Sequence, residues 1–185
     1  LRCLFEDQRG HLWLGSDGGV AHYNGEMFQS IKSQHIGPVL RILEDQDGTF
    51  WFGTALGSVV RYRPRQIAPR VRILQVVADL VYESPQHVDL STDARQVIFE
   101  YKGMSFTTHP RDMLYVCQLV GYESESRAPT RELRAYYRDL APGEYTFQVR
   151  AIDRDFNTSS AARVRVTVGL DPRLEALTAA LSSSD

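Results

Sequence analysis

The stretch EDQRGHLWLGSDGGVAHY, residues 6–23, is written a second time as EDQDGTFWFGTALGSVVRY at residues 44–62. The two copies are offset by 38 residues (44 minus 6). They share an Asp, a Gly three residues later, a Trp six residues later and two further glycines: Asp7 and Asp45, Gly10 and Gly48, Trp13 and Trp51, Gly15 and Gly53, and Gly19 and Gly57. Because the chain has two tryptophans in all, this match indicates an internal structural repeat.

Each copy has the pattern of a short antiparallel sheet. An apolar run is followed by a polar turn with glycine, a second apolar run, another glycine turn and a closing apolar run. Gly10 and Gly48 can supply the positive φ that a tight hairpin needs. A fourth short strand is predicted at residues 27–30. A unit of about 40 residues with three or four strands is the size of a β-propeller blade, whereas helical repeats would show a 3.6-residue apolar period.

From Arg70 onward the repeat is replaced by short alternating segments. These read VRILQVV, HVDL, QVIFEYKGMSF, MLYVCQL, ELRAYY, EYTFQVRAI and ARVRVTV. About seven short strands with turn residues between them, in about 100 residues, are typical of a β-sandwich. The sequence therefore predicts an all-β chain: two blades of an incomplete β-propeller, then an immunoglobulin-like or fibronectin-III-like β-sandwich.

The clearest part of the sandwich is LAPGEYTFQVRA, residues 140–151. Pro142 and Gly143 are predicted to take the central positions of a type II turn. Beyond them Tyr145, Phe147 and every second residue to Ala151 would share one face of a strand. Tyr145 fits a tyrosine corner, with its ring in the core and its hydroxyl bonded to the backbone a few residues upstream.

The two modules are joined by RYRPRQIAPRVR, residues 61–72, with five arginines and two prolines. The prolines discourage continuous strand pairing, so a domain boundary is predicted here. The arginines have two interpretations, a basic patch for an acidic partner or a solvated linker, and the linker interpretation is favoured.

The spacing of apolar residues changes in the last part of the chain. Leu170, Leu174, Leu177 and Leu181 recur at helical spacing, with Pro172 at a first helical position after a possible N-cap. A short C-terminal helix is predicted, either the start of a dimerising connector or a short cap. The predicted divisions are residues 1–66, 69–168 and 169–185.

Composition excludes several classes of protein. The chain is 43% hydrophobic and 24% charged, which is normal for a globular protein, and its net charge of -2 gives no general attraction to nucleic acid. Cys3 and Cys117 are too few and too far apart in sequence for a disulfide framework or a zinc site. No apolar run approaches the length of a membrane span. Leu1 already lies inside a repeat, so a segment of a longer chain is expected.

No catalytic, cofactor-binding or metal site is predicted, and ligand-binding residues are not assigned. His11, His22, His35, His87 and His109 show no metal-ligand spacing, and each is expected at the surface or in a turn. The DQDG of residues 45–48 resembles part of a calcium loop but lacks its bidentate Glu, so a hairpin turn is favoured. The two tryptophans could stack on a sugar ring, but their recurrence favours packing between blades.

Two family resemblances follow from these motifs. The doubled pattern of Asp, turn Gly, Trp, Gly and closing Tyr resembles the two-component regulator propeller repeat over residues 1–63; the sialidase-type Asp-box fits less well, because Gln8 and Gln46 stand where it needs Asp. VIFEYKGMSF, YVCQLVGYE and YYRDLAPGEYTFQVRAID resemble the three-tyrosine (Y_Y_Y) domain over residues 69–168. Three tyrosines fit that pattern: Tyr115, Tyr137 and Tyr145. Three residues depart from it: Cys117 replaces a tyrosine, Ser126 lies near an expected Trp, and Phe156 replaces a glycine-like turn residue.

The resemblance implies the periplasmic sensor region of a bacterial two-component or related signalling protein. Such a segment would be non-catalytic. The complete propeller would bind a ligand, often carbohydrate-derived, and the sandwich and C-terminal connector would form a homodimer, with membrane attachment through flanking helices. The alternative is a secreted or surface carbohydrate-binding module without a kinase. A third hypothesis, an enzyme of the sialidase or lyase kind, requires catalytic residues on further blades.

Overall fold

The computed structural model describes residues 1–31, 36–91 and 94–169. Within these ranges the regular structure is β-strand apart from a short 3-10 turn at Pro110–Asp112, which confirms the predicted all-β class. No helix in the described part of the chain is long and apolar enough to cross a membrane. The predicted C-terminal helix, residues 169–185, lies outside the described residues apart from Gly169.

The chain divides into two compact units. The blade unit consists of Leu1–Ile67 and Asp153–Asn157, and the sandwich unit consists of Ala68–Ile152 and the residues from Thr158 onward. The segment Asp153–Asn157 follows a long strand of the sandwich in sequence, yet its contacts belong to the blade unit.

The blade unit contains two antiparallel sheets. The first has the order β1-β2-β3-β4 and is formed by β1 (Cys3–Glu6), β2 (Leu12–Ser16), β3 (Gly19–Tyr23) and β4 (Phe28–Ile31). The second has the order β5-β6-β7 and is formed by β5 (Val39–Glu44), β6 (Phe50–Thr54) and β7 (Val59–Tyr62). The fourth strand expected at residues 27–30 is thus observed as β4.

Glycine makes the first hairpin of each blade possible. Gly10 and Gly48 have φ values of 80° and 75°, where a side chain would be strained. Their amides donate to the carbonyls of Asp7 and Asp45 at 3.0 and 3.1 Å, which closes each turn. The repeated Asp-to-Gly spacing therefore encodes one turn conformation twice.

The two blades pack through aromatic side chains. The ring of Trp13, 2% exposed, stacks on Phe50 with centroids 4.0 Å apart and also lies near Phe52 and Tyr62. A side chain at Gly15 would stand 3.0 Å from the carbonyl oxygen of Val39, so the close approach of the blades requires glycine there. Trp13 and Gly15 are therefore positions of contact between the two blades.

The sandwich unit contains two sheets. One has the order β13-β11-β8-β9 and the other β10-β15-β14-β12. The strands are β8 (Arg70–Val77), β9 (Val81–Glu83), β10 (His87–Leu90), β11 (Gln96–Met104), β12 (Leu114–Val120), β13 (Arg134–Arg138), β14 (Gly143–Ile152) and β15 (Ala162–Val168). All the segments expected from the alternating pattern form strands, and β9 was not expected.

The sandwich core lies between these sheets. Phe147 on β14 stacks on Phe99 on β11, with centroids 4.1 Å apart and ring planes 9° apart. Phe147, Val149 and Ala151 are fully buried, as the alternating pattern of β14 predicts. Burial of these aliphatic and aromatic groups is the main source of stability for the unit.

Each of the three matching tyrosines fixes backbone or a loop through its hydroxyl. Tyr115 donates to the carbonyl of Pro110 at 2.9 Å, and Tyr137 donates to Glu123 Oε2 at 2.9 Å. Tyr145 donates to the carbonyl of Ala141 at 2.8 Å, four residues upstream, which is the bond expected of a tyrosine corner. The ring of Tyr145 is half-buried against the core. The tyrosines are therefore structural.

The expected type II turn at Pro142 and Gly143 is wrong. Gly143 has a φ of 157°, which is not the value of about +80° that such a turn needs, because this residue already pairs with Val168 as the first residue of β14. The positive φ before this strand occurs at Asp139, at 50°. Asp tolerates that conformation better than most residues, since its short side chain can bond locally.

Removal of the Tyr145 ring should destabilise the sandwich unit. We expect Tyr145→Ala to lower the free energy of unfolding by about 2–3 kcal/mol, since a half-buried aromatic ring and one hydrogen bond are lost. Tyr145→Phe should lower it by about 1 kcal/mol, because the hydrogen bond alone is lost. Urea unfolding followed by circular dichroism measures both. Wild-type stability of Tyr145→Ala would contradict the corner role.

The carboxylate of Glu123 should make the sandwich unit sensitive to acid. Its side chain is 17% exposed and accepts hydrogen bonds from the Leu119 amide at 2.7 Å, from Arg127 Nε at 2.5 Å and from Tyr137. Burial by itself raises the pKa of Glu123, but the hydrogen bonds outweigh it and the net pKa is lowered from 4.5. The stability that Glu123 contributes is therefore complete above pH 4.5 and is lost as the pH falls through the lowered pKa.

The matched variant for this prediction is Glu123→Gln, which has no titratable group. We expect the difference in unfolding free energy between the wild type and Glu123→Gln to shrink as the pH is lowered from neutrality. Urea unfolding at a series of pH values measures this difference. A difference that is constant with pH would show that the pKa of Glu123 is the same in the folded and unfolded states.

Candidate functional site

A cleft of ≈ 360 Å³ lies on the blade unit. It is lined by the first turn of each blade, by the segment after β7 and by the loop Asp153–Asn157. Its lining residues include Asp7, His11, Trp13, His22, Arg63 and Phe156. The cleft is therefore built from parts of the chain that are distant in sequence.

Asp7 lines one side of the cleft, and this residue is 8% exposed. Its Oδ1 accepts hydrogen bonds from the amides of Arg9 and His11 at 2.9 and 2.8 Å. Its Oδ2 accepts one from Trp13 Nε1 at 2.8 Å and lies 3.6 Å from His11 Nδ1. A single carboxylate thus fixes the hairpin turn and the indole ring.

The second blade repeats this clamp. Asp45 Oδ2 accepts from Trp51 Nε1 at 3.1 Å, and Oδ1 accepts from the amide of Asp47 at 2.9 Å. Hydrogen bonds from the Asp47 carboxyl, the Trp51 indole and the Asp47 amide lower the pKa of Asp45 to about 2. The Asp-to-Trp spacing of six residues in both copies was a signal in the sequence for this interaction, and sequence reasoning had not used it.

His22 lies at the back of the cleft and is 3% exposed. Its ring lies between Trp13 and Phe156, with centroid distances of 4.4 and 4.3 Å. Burial lowers the pKa of His22 to about 4, so the ring is neutral near pH 7. Nε2 is 2.5 Å from the carbonyl oxygen of Arg154 and therefore carries the proton, which leaves Nδ1 as an acceptor.

The Nδ1 atom of His22 is buried and has no hydrogen-bond partner among the described residues. A buried acceptor without a partner is unfavourable, and such groups in folded proteins usually meet a water molecule or a ligand. The ring of His22 is nevertheless one of the groups that line the cleft.

Phe156 closes the other side of the cleft in a strained conformation. Its φ is 63°, in the left-handed region that favours glycine. Its ring packs edge-on to His11, with centroids 5.8 Å apart, as well as against His22. The residue that departs from the glycine-like pattern thus places an aromatic ring in the cleft. Strain of this kind persists only where the surroundings hold it in place.

The surroundings that hold Phe156 are the polar contacts of its loop. Asp153 is fully buried, and its Oδ1 accepts from the amides of Asp155 and Asn157, both at 2.9 Å. Burial raises the pKa of Asp153. The carbonyl of Asp153 accepts from Gln29 Nε2 at 3.0 Å, and Asn157 Nδ2 donates to the carbonyl of Arg65 at 2.6 Å. The loop is therefore bound to β4 and to the segment that follows β7.

Substitution of Phe156 tests this conformation. We expect Phe156→Gly to be more stable than Phe156→Ala by about 1 kcal/mol, because glycine alone adopts the left-handed region without strain. Urea unfolding of the two variants measures the difference. Phe28, which is exposed on β4, is the matched control, and there alanine should be the more stable replacement. The same order at both positions would contradict the assigned backbone conformation.

The structure brings two of the five histidines together and places two others elsewhere. His11 and His22 meet at the cleft, whereas His87 and His109 lie in the sandwich unit, and His35 is outside the described residues. The surface or turn position expected for His22 is wrong, because its ring is buried against Trp13. Among the described residues no group of three or more His, Cys, Asp or Glu is arranged to hold a metal ion.

The two tryptophans also differ. Trp13 is buried between the blades as expected, but Trp51 is 37% exposed with Arg61 6.0 Å above its ring. The difference arises because the second blade contacts the first through Phe50 and Phe52, and successive side chains of a strand point to opposite faces. Residues 45–48 form the expected hairpin turn.

The fold and the repeat define a class of protein in which propeller blades precede a β-sandwich. Family comparison makes the assignment specific: residues 1–18 and 34–55 match the two component regulator propeller, and residues 107–169 match the Y_Y_Y domain. The chain therefore carries regulator propeller repeats followed by a Y_Y_Y domain, and the resemblance seen in its motifs is confirmed.

Two solved structures share the fold. The extracellular domain of a hybrid two component system from B. thetaiotaomicron has a TM-score of 0.62 and 17% sequence identity; the match covers 91% of this chain and 26% of that one. The extracellular domain of a one component system from the same organism has a TM-score of 0.50 and 16% identity, with coverages of 92% and 31%. This chain thus spans about a quarter to a third of these domains. No curated protein sequence matches the chain significantly.

Proposed function

We propose that this chain is a ligand-sensing and signal-transmitting segment in the extracytoplasmic part of a bacterial two-component or related signalling protein. The observation that carries the proposal is the order of the modules, regulator propeller repeats and then a Y_Y_Y domain, in a fold shared with extracellular domains of such systems. The segment itself is non-catalytic in this proposal, and any kinase or other output domain lies elsewhere in the complete protein.

The two blades are the terminal part of a larger propeller in this proposal, because four or more blades are typical of a closed propeller. The exposed face of Trp51 supports it. Trp13 and Trp51 occupy the same position in the repeat, and Trp13 is covered by the aromatic side chains of the next blade. Trp51, Leu43 and Val59 would be covered in the same way by a further blade.

The cleft fits ligand binding better than chemistry. The carboxylate of Asp7 is engaged by backbone amides and an indole, and that of Asp155 by the Tyr62 hydroxyl and the Arg65 amide. Glu44 and Asp47, the other two carboxylates of the lining, also accept backbone amides, so all four hold local structure. The aromatic ring of Phe156, which lines the cleft, instead favours a ligand that can pack against it, in keeping with a carbohydrate-derived molecule.

For the signal to be transmitted, the protein must have two arrangements, and the ligand must bind one of them more tightly than the other. We propose that the loop Asp153–Asn157 takes part, because it lines the cleft and belongs to the connection between β14 and β15 of the sandwich unit. A homodimer formed through the sandwich and the connector of residues 169–185 would supply the two arrangements. Flanking helices would attach the protein to the membrane.

The complete gene and the complete protein test the proposal. We expect further propeller repeats upstream, and a membrane helix followed by a kinase or other output domain downstream. With the complete protein, addition of an active oligosaccharide should change output activity, and Phe156→Gly, which removes the ring from the cleft, should weaken that response. A stop codon soon after residue 185 would contradict the signalling function and favour the secreted or surface binding module.

A further inference from the structure

The outer face of one sheet of the sandwich unit carries a row of apolar residues. Strand pairing in the sheet β13-β11-β8-β9 aligns four of them, one from each strand: Tyr136, Ile98, Val77 and Val81. Their neighbours along β13, β11 and β8 belong to the buried core, so these four side chains point outward. Tyr136 and Val81, at the two ends of this apolar row, are 47% and 58% exposed.

An apolar row is unusual on the outside of a sandwich, where outward residues are normally polar. The other sheet follows the rule, since four successive outward residues of its inner strand β14 are polar: Glu144, Thr146, Gln148 and Arg150. Single exposed apolar side chains are normal on a protein surface, but an apolar patch that is continuous across a sheet marks an interaction site. The apolar row therefore indicates a docking surface.

A row of polar residues lies beside the apolar row. Strand pairing aligns its members across the same four strands: Arg134, Glu100, Gln75 and Glu83. Both oxygens of the Glu100 carboxylate are engaged, by Arg134 Nε at 2.6 Å and by Gln75 Nε2 at 2.8 Å. The side chain of Arg134 is still 55% exposed, and Glu83 is exposed as well. The row thus presents a positive group on β13 and a negative group on β9.

Two copies of the chain can pair face to face through these rows. A two-fold axis parallel to the strands reverses the strand order, so that β13 of each copy lies over β9 of the other. Tyr136 then faces Val81 of the other copy, and Arg134 faces Glu83. A two-fold axis across the strands would instead place β13 over β13 and bring Arg134 opposite Arg138. Because like charges repel, the first arrangement is favoured.

We infer that the outer face of the sheet β13-β11-β8-β9 is the surface through which a second copy of this chain binds. Face-to-face packing of two aligned sheets buries the two apolar rows against each other. Two pairs of Arg134 with Glu83 lie beside them, one at each edge of the paired sheets. This inference rests on the proposed function, in which the sandwich forms a homodimer, and it specifies the face and the symmetry of that dimer.

Chemical cross-linking of the complete protein tests this geometry. Copies with Tyr136→Cys are produced together with copies that carry Val81→Cys, and both also carry Cys3→Ser, because Cys3 is partly exposed. A short bis-maleimide should join the two kinds of copy, since the two-fold axis places position 136 over position 81. Either variant produced alone should give far less product, because equal positions are separated by three strand spacings and by the gap between the sheets, about 17 Å in all.

The matched control replaces Val81→Cys by Thr146→Cys, which lies on the outer face of the other sheet. As much product from this control, or none from any mixture, would overturn the inference. So would Tyr136→Cys copies that join one another as readily as they join Val81→Cys copies, because the axis would then be wrong. A monomeric protein that shields both cysteines from a monofunctional maleimide would overturn it too, since another part of the same chain would cover the face.

An exchange of charge between copies tests the pair formed by Arg134 and Glu83. Arg134→Glu alone and Glu83→Arg alone each place like charges opposite one another, and each should weaken dimerisation of the complete protein by about tenfold. A mixture of the two variants should dimerise like the wild type, because every facing pair is again of opposite charge. Analytical ultracentrifugation measures all three. The loss of the Glu100 contact within an Arg134→Glu copy is not reversed by mixing, so a mixture that fails to recover would contradict the pair.

These experiments separate the inference from the proposed function. If cross-linked pairs form as expected but an active oligosaccharide changes no output of the complete protein, the face stands and the sensing function fails. If the output responds to the oligosaccharide while positions 136 and 81 never join, ligand sensing stands and this face is wrong.

Discussion

Replacement of Trp13 by alanine should lower the free energy of unfolding of the blade unit by about 3–5 kcal/mol. The ring is 2% exposed and stacks on Phe50, so its removal leaves a cavity between the two blades. It also removes the indole N–H that Asp7 Oδ2 accepts at 2.8 Å, which leaves a nearly buried carboxylate oxygen with one partner fewer. Urea unfolding followed by circular dichroism measures the loss.

Trp51 is the matched control, because it has the same position in the repeat and the same bond to an aspartate. In the chain of 185 residues its ring is 37% exposed, so Trp51→Ala should cost less than about 2 kcal/mol. In the complete protein, a further blade would bury Trp51 and raise the cost to that of Trp13→Ala. Equal costs at both positions in the chain of 185 residues would contradict the blade packing, and a small cost at Trp51 in the complete protein would contradict the larger propeller.

Replacement of Tyr137 by alanine should destabilise the sandwich unit by about 3–5 kcal/mol. The ring is 2% exposed and packs edge-on to Phe99, with centroids 5.7 Å apart. Arg127 lies 4.2 Å above the ring centroid, and the hydroxyl donates to Glu123. The substitution therefore removes core packing, a cation-π contact and one of the hydrogen bonds that stabilise the Glu123 carboxylate.

Two variants separate these contributions. Tyr137→Phe keeps the ring and should cost about 1–2 kcal/mol, the effect of leaving the Glu123 carboxylate without one donor. Tyr136→Ala changes the neighbouring tyrosine, which is 47% exposed on the opposite face of β13, and should cost less than about 1 kcal/mol. Denaturant unfolding of all three provides the measurement. A loss for Tyr136→Ala as large as that for Tyr137→Ala would contradict the assignment of faces on β13.

Local structure in this protein could be predicted well because it is encoded by neighbouring residues. Gly10 and Gly48 fix their turns through φ values that other residues avoid, and the alternation along β14 fixes which of its side chains are buried. The error at Gly143 has the same physical basis. The Pro-Gly pair favours a turn locally, but pairing of Gly143 with Val168, which is distant in sequence, makes the glycine extended.

The candidate site could not be predicted in this way, because its parts meet through the tertiary fold. His22 and Arg154 are 132 residues apart, and nothing in the residues around either one indicates the contact between them. Phe156 could be recognised as a departure from a glycine-like pattern, but its position against His22 depends on the loop that Asp153 holds.

The strands other than β9, the hairpin glycines Gly10 and Gly48, the repeat and the order of the two modules could be predicted from the sequence, since hydrophobic alternation and backbone conformation are properties of adjacent residues. The packing of distant segments instead settles which of two equivalent tryptophans is buried, and which described histidine has a buried nitrogen without a partner among the described residues. Burial and unsatisfied hydrogen bonding depend on every segment packed around a side chain, and those segments come from both ends of the chain.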